Sequence, residues 1–432
     1  MWRCGAQPEG PRALFPSGFA IAVCLVAAWL CAGHAAAAAV EGVPLFPFTE
    51  ESPEGEGSGD TLSGTMLHAI EHPASAGAMV LLCWKNEESD PGESPHSYHF
   101  LDTERTTLNL LAHHLAPRQQ ILIGIKAGNC SPDWLKELGV PMAKFWQAPL
   151  GGKGGRCAPI ELPPSYDDTY VRRYVAISAQ LWQTMAEVRL TADGSTLQSH
   201  VRAFKNAGMV LATSGEMGIL SSGCASEGKV YETQREVAET WSRLPSPDNY
   251  TPAKAQAAYA RMLEGLFAFL PPQVPLSQAV IIRDEFGWPL VDAAGRPLPE
   301  RHTRSEVVPM FRPILTAAAR RYGKRIIFGF NELSLGRAEE GTPEPAQNVI
   351  EAGTYGAGVE WELNGNGEGG TTSCRGRHDL APADPDCFAR ILALGASLVP
   401  PASNGGKLQW IEFQPIDAVA TSHMLDRVTR PQ

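Results

Sequence analysis

Short, nearly continuous apolar runs alternate along this chain with longer stretches of helical periodicity. The runs fall at 79–84, 120–126, 144–148, 187–191, 279–283, 326–330, 357–363 and 408–413. Most are unbroken and do not alternate apolar with polar. That is the pattern of strands covered on both faces, as in a parallel sheet flanked by helices. A further apolar run, Met209–Thr213, is placed in a long loop after the fourth strand.

The stretches between the runs carry helix signals. Asp167-Asp168 caps a segment in which Val171, Tyr174, Val175, Leu181, Trp182 and Met185 recur near helical spacing. Thr251-Pro252 supplies an N-cap and a proline at the first helical position, and Ala255, Ala258, Tyr259, Met262, Leu266 and Phe269 follow on one side. Thr303-x-x-Glu306 has capping-box spacing, but Pro309 and Pro313 make that helix late-starting or kinked. Strands alternating with helices predict an α/β chain, a (β/α)8 TIM barrel with long loops after strands four and seven, at 192–240 and 364–386. Several strands also run into polar residues or tryptophan: Trp84, Asn331-Glu332, Glu360, Glu362 and Glu412. A barrel builds its site from such strand ends, at the C-terminal rim.

Composition divides the chain. Residues 1–39 read as a signal peptide, with Arg3 and Arg12 ahead of an apolar run from Phe19 to Ala32 and small residues at Ala35–Ala39. Secretion or a periplasmic location follows, with an uncleaved membrane anchor as the alternative. Residues 40–62, acidic and glycine-rich around Glu50–Gly57, read as a flexible linker, leaving 63–432 as a single domain. The net charge of −11 argues against nucleic acid or an anionic membrane as partner. Oligomeric state is not legible. Six cysteines remain beyond the signal. They allow fifteen full pairings, among which the sequence does not choose; Cys374 with Cys387 is the best local pair, Cys130 with Cys157 the next, and Cys83, inside an apolar strand, is expected to be a buried thiol.

No metal and no cofactor is expected. His113-His114 and the His96/His99 pair lack ligand company. The Asn364–Glu368 segment has Arg375 where a calcium loop needs an acid. Gly151–Gly155 lacks the Gly-Lys-Ser/Thr ending of a phosphate loop, and no Gly-x-Ser-x-Gly supports an esterase.

The order of Trp84, the 125–134 segment Ile-Lys-Ala-Gly-Asn-Cys-Ser-Pro-Asp-Trp, Trp241, Asn249-Tyr-Thr-Pro252, Tyr322-Gly-Lys-Arg325 and Trp410-Ile-Glu-Phe413 resembles the clan A type glycoside hydrolases, the broad set with family 5 cellulases and family 42 galactosidases. The similarity spans roughly 77–425 and is greatest to uncharacterised members. It implies a sugar substrate, a nucleophile from strand seven, and an acid/base glutamate after an asparagine at the end of strand four. The chain departs from that last point. Glu216, in Thr213-Ser-Gly-Glu-Met217, has no asparagine before it, and Asn331-Glu332 falls at the expected strand six.

Glycoside hydrolysis needs one protonated carboxyl and one ionised carboxylate flanking the scissile bond. Glu216 is the acid/base candidate, Glu360 the first nucleophile candidate and Glu412 its substitute. Glu360 and Glu362 share one side of a strand, since side chains alternate, and burying both against helices would be costly; both are therefore expected to face the lumen. Glu412, between Ile411 and Phe413, is expected to do the same. Trp84, Trp134 and Trp146 are candidate platforms for a pyranose face, and Asn331 a partner for a sugar hydroxyl. Trp361 should pack outward and Trp182 in the core. The expected function is hydrolysis of an oligo- or polysaccharide. The rival is a non-catalytic barrel that binds carbohydrate or serves as a cell-surface scaffold.

Overall fold

The computed structural model describes residues 43–51, 62–92, 97–102, 106–147, 158–208, 241, 243–280, 317–331, 358–363, 408–413, 415, 421–422 and 425–426. Its strands are β1 (Leu45–Glu50), β2 (Gly77–Cys83), β3 (Gln120–Lys126), β4 (Ala143–Gln147), β5 (Ala158–Leu162), β6 (Val201–Ala207), β7 (Leu276–Val280), β8 (Ile326–Asn331), β9 (Gly358–Leu363) and β10 (Leu408–Phe413). Eight of them close into a barrel in the order β1-β2-β3-β6-β7-β8-β9-β10, every neighbouring pair parallel. The (β/α)8 expectation holds.

The strand assignments hold in part. β1 lies inside the stretch expected to be a linker. Leu-Phe-Pro-Phe buries its side chains and joins β10 to β2, so 45–50 is the first barrel strand. The run at 144–148, expected as the third strand, pairs antiparallel with β5 in a hairpin outside the barrel. The run at 187–191 is the end of a helix and an isolated bridge from Arg189 to Thr196; the fourth barrel strand is β6. These differences cancel, so β8, β9 and β10 are strands six, seven and eight as expected. The Met209–Thr213 run and the Thr303–Glu306 box lie outside the described residues.

Helices α1 (Gly64–Glu71), α2 (Trp84–Glu87), α3 (Thr107–His114), α4 (Asp168–Glu187) and α5 (Pro252–Phe269) are among the connections. Asp167 caps α4 by accepting the N–H groups of Thr169 and Tyr170, and Thr251 caps α5 by accepting that of Lys254. Two apolar clusters result. The larger joins the outward side chains of the strands to the helices. The smaller fills the lumen with Phe46, Phe48, Met79, Leu81, Leu122, Ala203, Ile327 and Trp410. Inward positions therefore run 46-48-50 on β1, 122-124-126 on β3, 203-205-207 on β6 and 410-412 on β10, following the two-residue repeat. Gly124 is needed in this series: a Cβ there would lie 2.0 Å from the Lys205 carbonyl oxygen of the neighbouring strand.

The described cysteines pair as Cys83–Cys130, correcting both the buried-thiol expectation for Cys83 and the Cys130–Cys157 pairing. The bond ties the end of β2 to the turn after β3. Cys157, Cys374 and Cys387 lie outside the described residues.

Candidate active site

The C-terminal strand ends converge on one face, and the side chains there divide into a lumen floor, a rim and a buried shell beneath the rim. Glu412 is inward, as expected. Its carboxylate is fully buried and accepts from Lys205 Nζ through both oxygens, at 2.8 and 3.0 Å, while Trp410 Nε1 donates to the same carboxylate at 2.8 Å. Lys205 is itself only 2% exposed. β6 and β10 are the fourth and eighth strands, so the pair crosses the barrel. A carboxylate bonded through both oxygens to an ammonium has its charge neutralised and is a weaker nucleophile toward a sugar carbon. As substitute nucleophile, Glu412 is thus disfavoured by geometry in this conformation.

Lys205 is a lumen residue that the apolar pattern does not single out. The signal was present: a lysine in Val201–Ala207 two residues from Ala203, on the inward parity. The polar residues Arg202, Lys205 and Asn206 break the apolar run that would have marked a strand.

The end of β6 also bears on the acid/base. Strand four closes on Asn206-Ala207, so the asparagine of the resembled pattern is followed by alanine. Asn206 points the other way, toward the helices. It donates to Gln278 Oε1 at 2.9 Å and accepts the Gly208 N–H at 3.2 Å. Glu216 lies outside the described residues, in the segment that follows β6 and precedes α5.

On β9, the Cα register sets Glu360 beside Trp410 and Gly329, and Glu362 beside Glu412 and Asn331. Residues in register across parallel strands share a face. Glu360, Glu362 and Asn331 therefore occupy inward positions of strands seven and six, with Glu362 and Asn331 at the C-terminal ends. Trp146 stands on β4, away from the barrel sheet.

Trp84 and Trp134 are not open platforms. Trp84 is fully buried, edge-on to Trp134, Tyr170 and Tyr174, and its Nε1 donates to Glu88 Oε2 at 2.6 Å. Trp134 is 8% exposed, carries the Arg173 guanidinium 4.9 Å from its ring centre, and donates to the Glu88 carbonyl. Arg173 and Glu88 form a buried ion pair. Both indoles are spent on packing α4 under the rim, and no sugar face can reach either ring without unpacking it.

That helix fixes the exits of two strands. Tyr174 Oη donates to the Ile125 carbonyl at 2.8 Å and accepts the Ala207 N–H at 3.2 Å; Tyr170 Oη donates to the Gly208 carbonyl at 2.7 Å. Burial pushes both phenols well above their ordinary pKa. A Cβ on Gly208 would sit 2.2 Å from the Tyr174 ring.

At the rim, Lys126 Nζ donates to Glu50 Oε2 at 2.6 Å across the end of β2. Glu51 turns back beneath them, accepting the Cys83 N–H at 2.9 Å and the Thr107 hydroxyl at 2.7 Å.

The fold defines the class: this chain is a TIM barrel. No family model matches it, and no curated protein does. Among solved structures it is similar to the catalytic domain of β-amylase from Paenibacillus polymyxa, with a TM-score of 0.46 and 9% identity over 90% of this chain and 100% of that one. It is similar also to morphinone reductase, with a TM-score of 0.37 and 12% identity over 88% of this chain and 85% of that one. Likenesses this distant carry no statement about activity or substrate.

Proposed function

We propose that the protein is a glycoside hydrolase acting on an oligo- or polysaccharide at the C-terminal mouth of the barrel. The observation that carries this reading is the place of β9. It is the seventh strand, the one that supplies the nucleophile in the resembled clan, and its register puts Glu360 and Glu362 at inward positions beside Trp410 and Glu412. Glu216 follows strand four, where that clan keeps its acid/base. In the proposed reaction the Glu216 carboxyl protonates the leaving glycosidic oxygen while the Glu360 carboxylate attacks the anomeric carbon. Glu216 then takes a proton from the water that releases the sugar. With both oxygens held by Lys205, Glu412 enters as a fixed charge and not as the attacking group. Asn331, in Cα register with Glu362, would bond a sugar hydroxyl.

A second reading is favoured by Ala207, which stands where an acid/base would follow Asn206, and by the neutralised Glu412. In it the barrel binds saccharide without cleaving it.

One experiment separates the two. The chain from residue 40 onward is screened on aryl glycosides and polysaccharides, alongside Glu216→Gln and Glu360→Gln. Hydrolysis lost in both variants at unchanged folding supports the hydrolase. Retention on polysaccharide without hydrolysis, surviving both substitutions, supports the binder. Absence of both hydrolysis and retention would refute the saccharide reading.

Export is part of the proposal. The Cys83–Cys130 disulfide suits an oxidising compartment, as does the signal-like N-terminus. Among the described residues no helix is long and apolar enough to cross a membrane. Fractionation of the producing cells, with N-terminal sequencing of the recovered protein, tests it: recovery with residue 1 intact in the reducing cytosol would overturn it.

A further inference from the structure

We infer that Glu50 and Lys126 form a saccharide subsite at the mouth, one that takes adjacent hydroxyls of a neutral sugar ring. This rests on the saccharide reading above and adds to it two residues that no strand-seven or strand-four argument reaches.

Both side chains stand on inward positions, at the last residues of strands one and three. The register sets Lys126 beside Ala207, one inward step nearer the mouth than Lys205. The Lys205–Glu412 pair is thus a floor, and the Glu50–Lys126 pair lies above it. The two upper side chains are 34% and 12% exposed, so they are held yet reachable. Their bond engages Oε2 of Glu50; among the described residues Oε1 has no hydrogen-bond partner. The lysine ammonium keeps two further protons. A carboxylate oxygen accepts from one hydroxyl and an ammonium donates to its neighbour, the pattern a vicinal diol presents.

Rigidity separates this pair from an ordinary surface bridge, which holds two mobile side chains and contributes little. Next to Lys126, the backbone is fixed by the Cys83–Cys130 bond and by the Ser131 N–H to the Gly128 carbonyl. Next to Glu50, it is fixed by Glu51, which binds the ends of β2 and α3. Groups ordered before binding lose little entropy on binding. The pair is neutral overall, and Glu50 would repel a uronate. The ligand class is therefore a neutral hexose or pentose unit.

The test uses the chain from residue 40 onward on an array of neutral and uronate-containing oligosaccharides, with Glu50→Gln, Lys126→Met and the double variant; thermal unfolding checks folding. Expected is retention of neutral glycans by the wild-type protein, weakened about tenfold or more in each single variant. The double variant should be little worse than either single one. Unchanged affinity in both single variants overturns the subsite while leaving the saccharide reading standing. So does selective uronate binding lost only in Lys126→Met. Absence of any retention or hydrolysis by the wild-type protein overturns the saccharide reading and the subsite with it.

Discussion

At the scale of single residues, Lys205 and Glu412 carry the sharpest consequence. An ion pair sealed in a barrel lumen is a poor way to gain stability, because each charge has lost its water; breaking it is worse than never having had it. Lys205→Met would leave the Glu412 carboxylate buried without the ammonium that binds both its oxygens. We expect that variant to lose about 3–5 kcal/mol, read as a lower denaturation midpoint at constant slope. Replacing both partners with Met should restore most of the loss. A single variant as stable as wild type would mean that the pair is open to water. Gly208 gives a second test at this scale. Gly208→Ala places a methyl in the Tyr174 ring and is expected to cost about 1–3 kcal/mol in thermal unfolding, the range for overpacking a filled core. An unchanged melting temperature would show that α4 can retreat.

At the scale of elements, the disulfide is the joint between β2 and the turn after β3. It closes a loop of 47 residues. Chain-entropy arguments put its stabilisation at about 4 kcal/mol, less any native strain. Cys83→Ala with Cys130→Ala should therefore lower stability by a few kcal/mol while leaving the far side of the barrel, β7 to β9, protected in hydrogen exchange; uniform loss of protection would contradict a local joint.

The elements also show what the sequence could and could not disclose. β2, β3, β8, β9 and β10 were legible because unbroken apolar runs are what doubly covered strands need. β1 was not, since Pro47 removes a ladder donor and the acidic tract from Glu50 onward resembles a linker. β6 was hidden by its polar residues, as Lys205 and Asn206 interrupt the apolar pattern of strand four. β4 has the right composition and the wrong partner: an antiparallel hairpin and a barrel strand look alike in a five-residue window. Glu412 was placed correctly by parity, but its ion pair was not foreseeable. Nothing in sequence says that position 205 faces position 412 across a closed sheet. The tryptophans misled for a related reason. Trp84 does follow a strand end, but α4 covers it.

At the scale of the whole molecule, buried phenols set an alkaline limit. Burial pushes Tyr250 up to about 12, and Tyr166, Tyr170 and Tyr174 rise further still for the same first cause. In the unfolded chain these groups ionise near 10. Their folded pKa values are raised, so the stability they protect is complete below about pH 10 and drains as pH climbs through 12, because only the unfolded chain gives up its protons there. Titration of stability by denaturant at stepped pH should show that decline, with Tyr250→Phe reducing its slope; a flat profile to pH 12 would mean that the phenols are not sealed.

Closure of the barrel makes the last demand. Eight strands close only if β1 bridges β10 to β2, which it does through Leu45 beside Ile411 and Phe48 beside Met79. Removing it would open two edges with unpaired ladder groups, and would bare the lumen-facing Phe46 and Phe48 cluster. Glu51, which binds the ends of β2 and α3, sits one residue beyond the strand and depends on it for position. A chain beginning at residue 43 is therefore expected to fold like the longer protein, and a chain beginning at 63 to be insoluble or partly folded, by far-ultraviolet circular dichroism and size exclusion. If 40–62 were a dispensable linker, both chains would fold alike, and the eighth strand would have to find another neighbour.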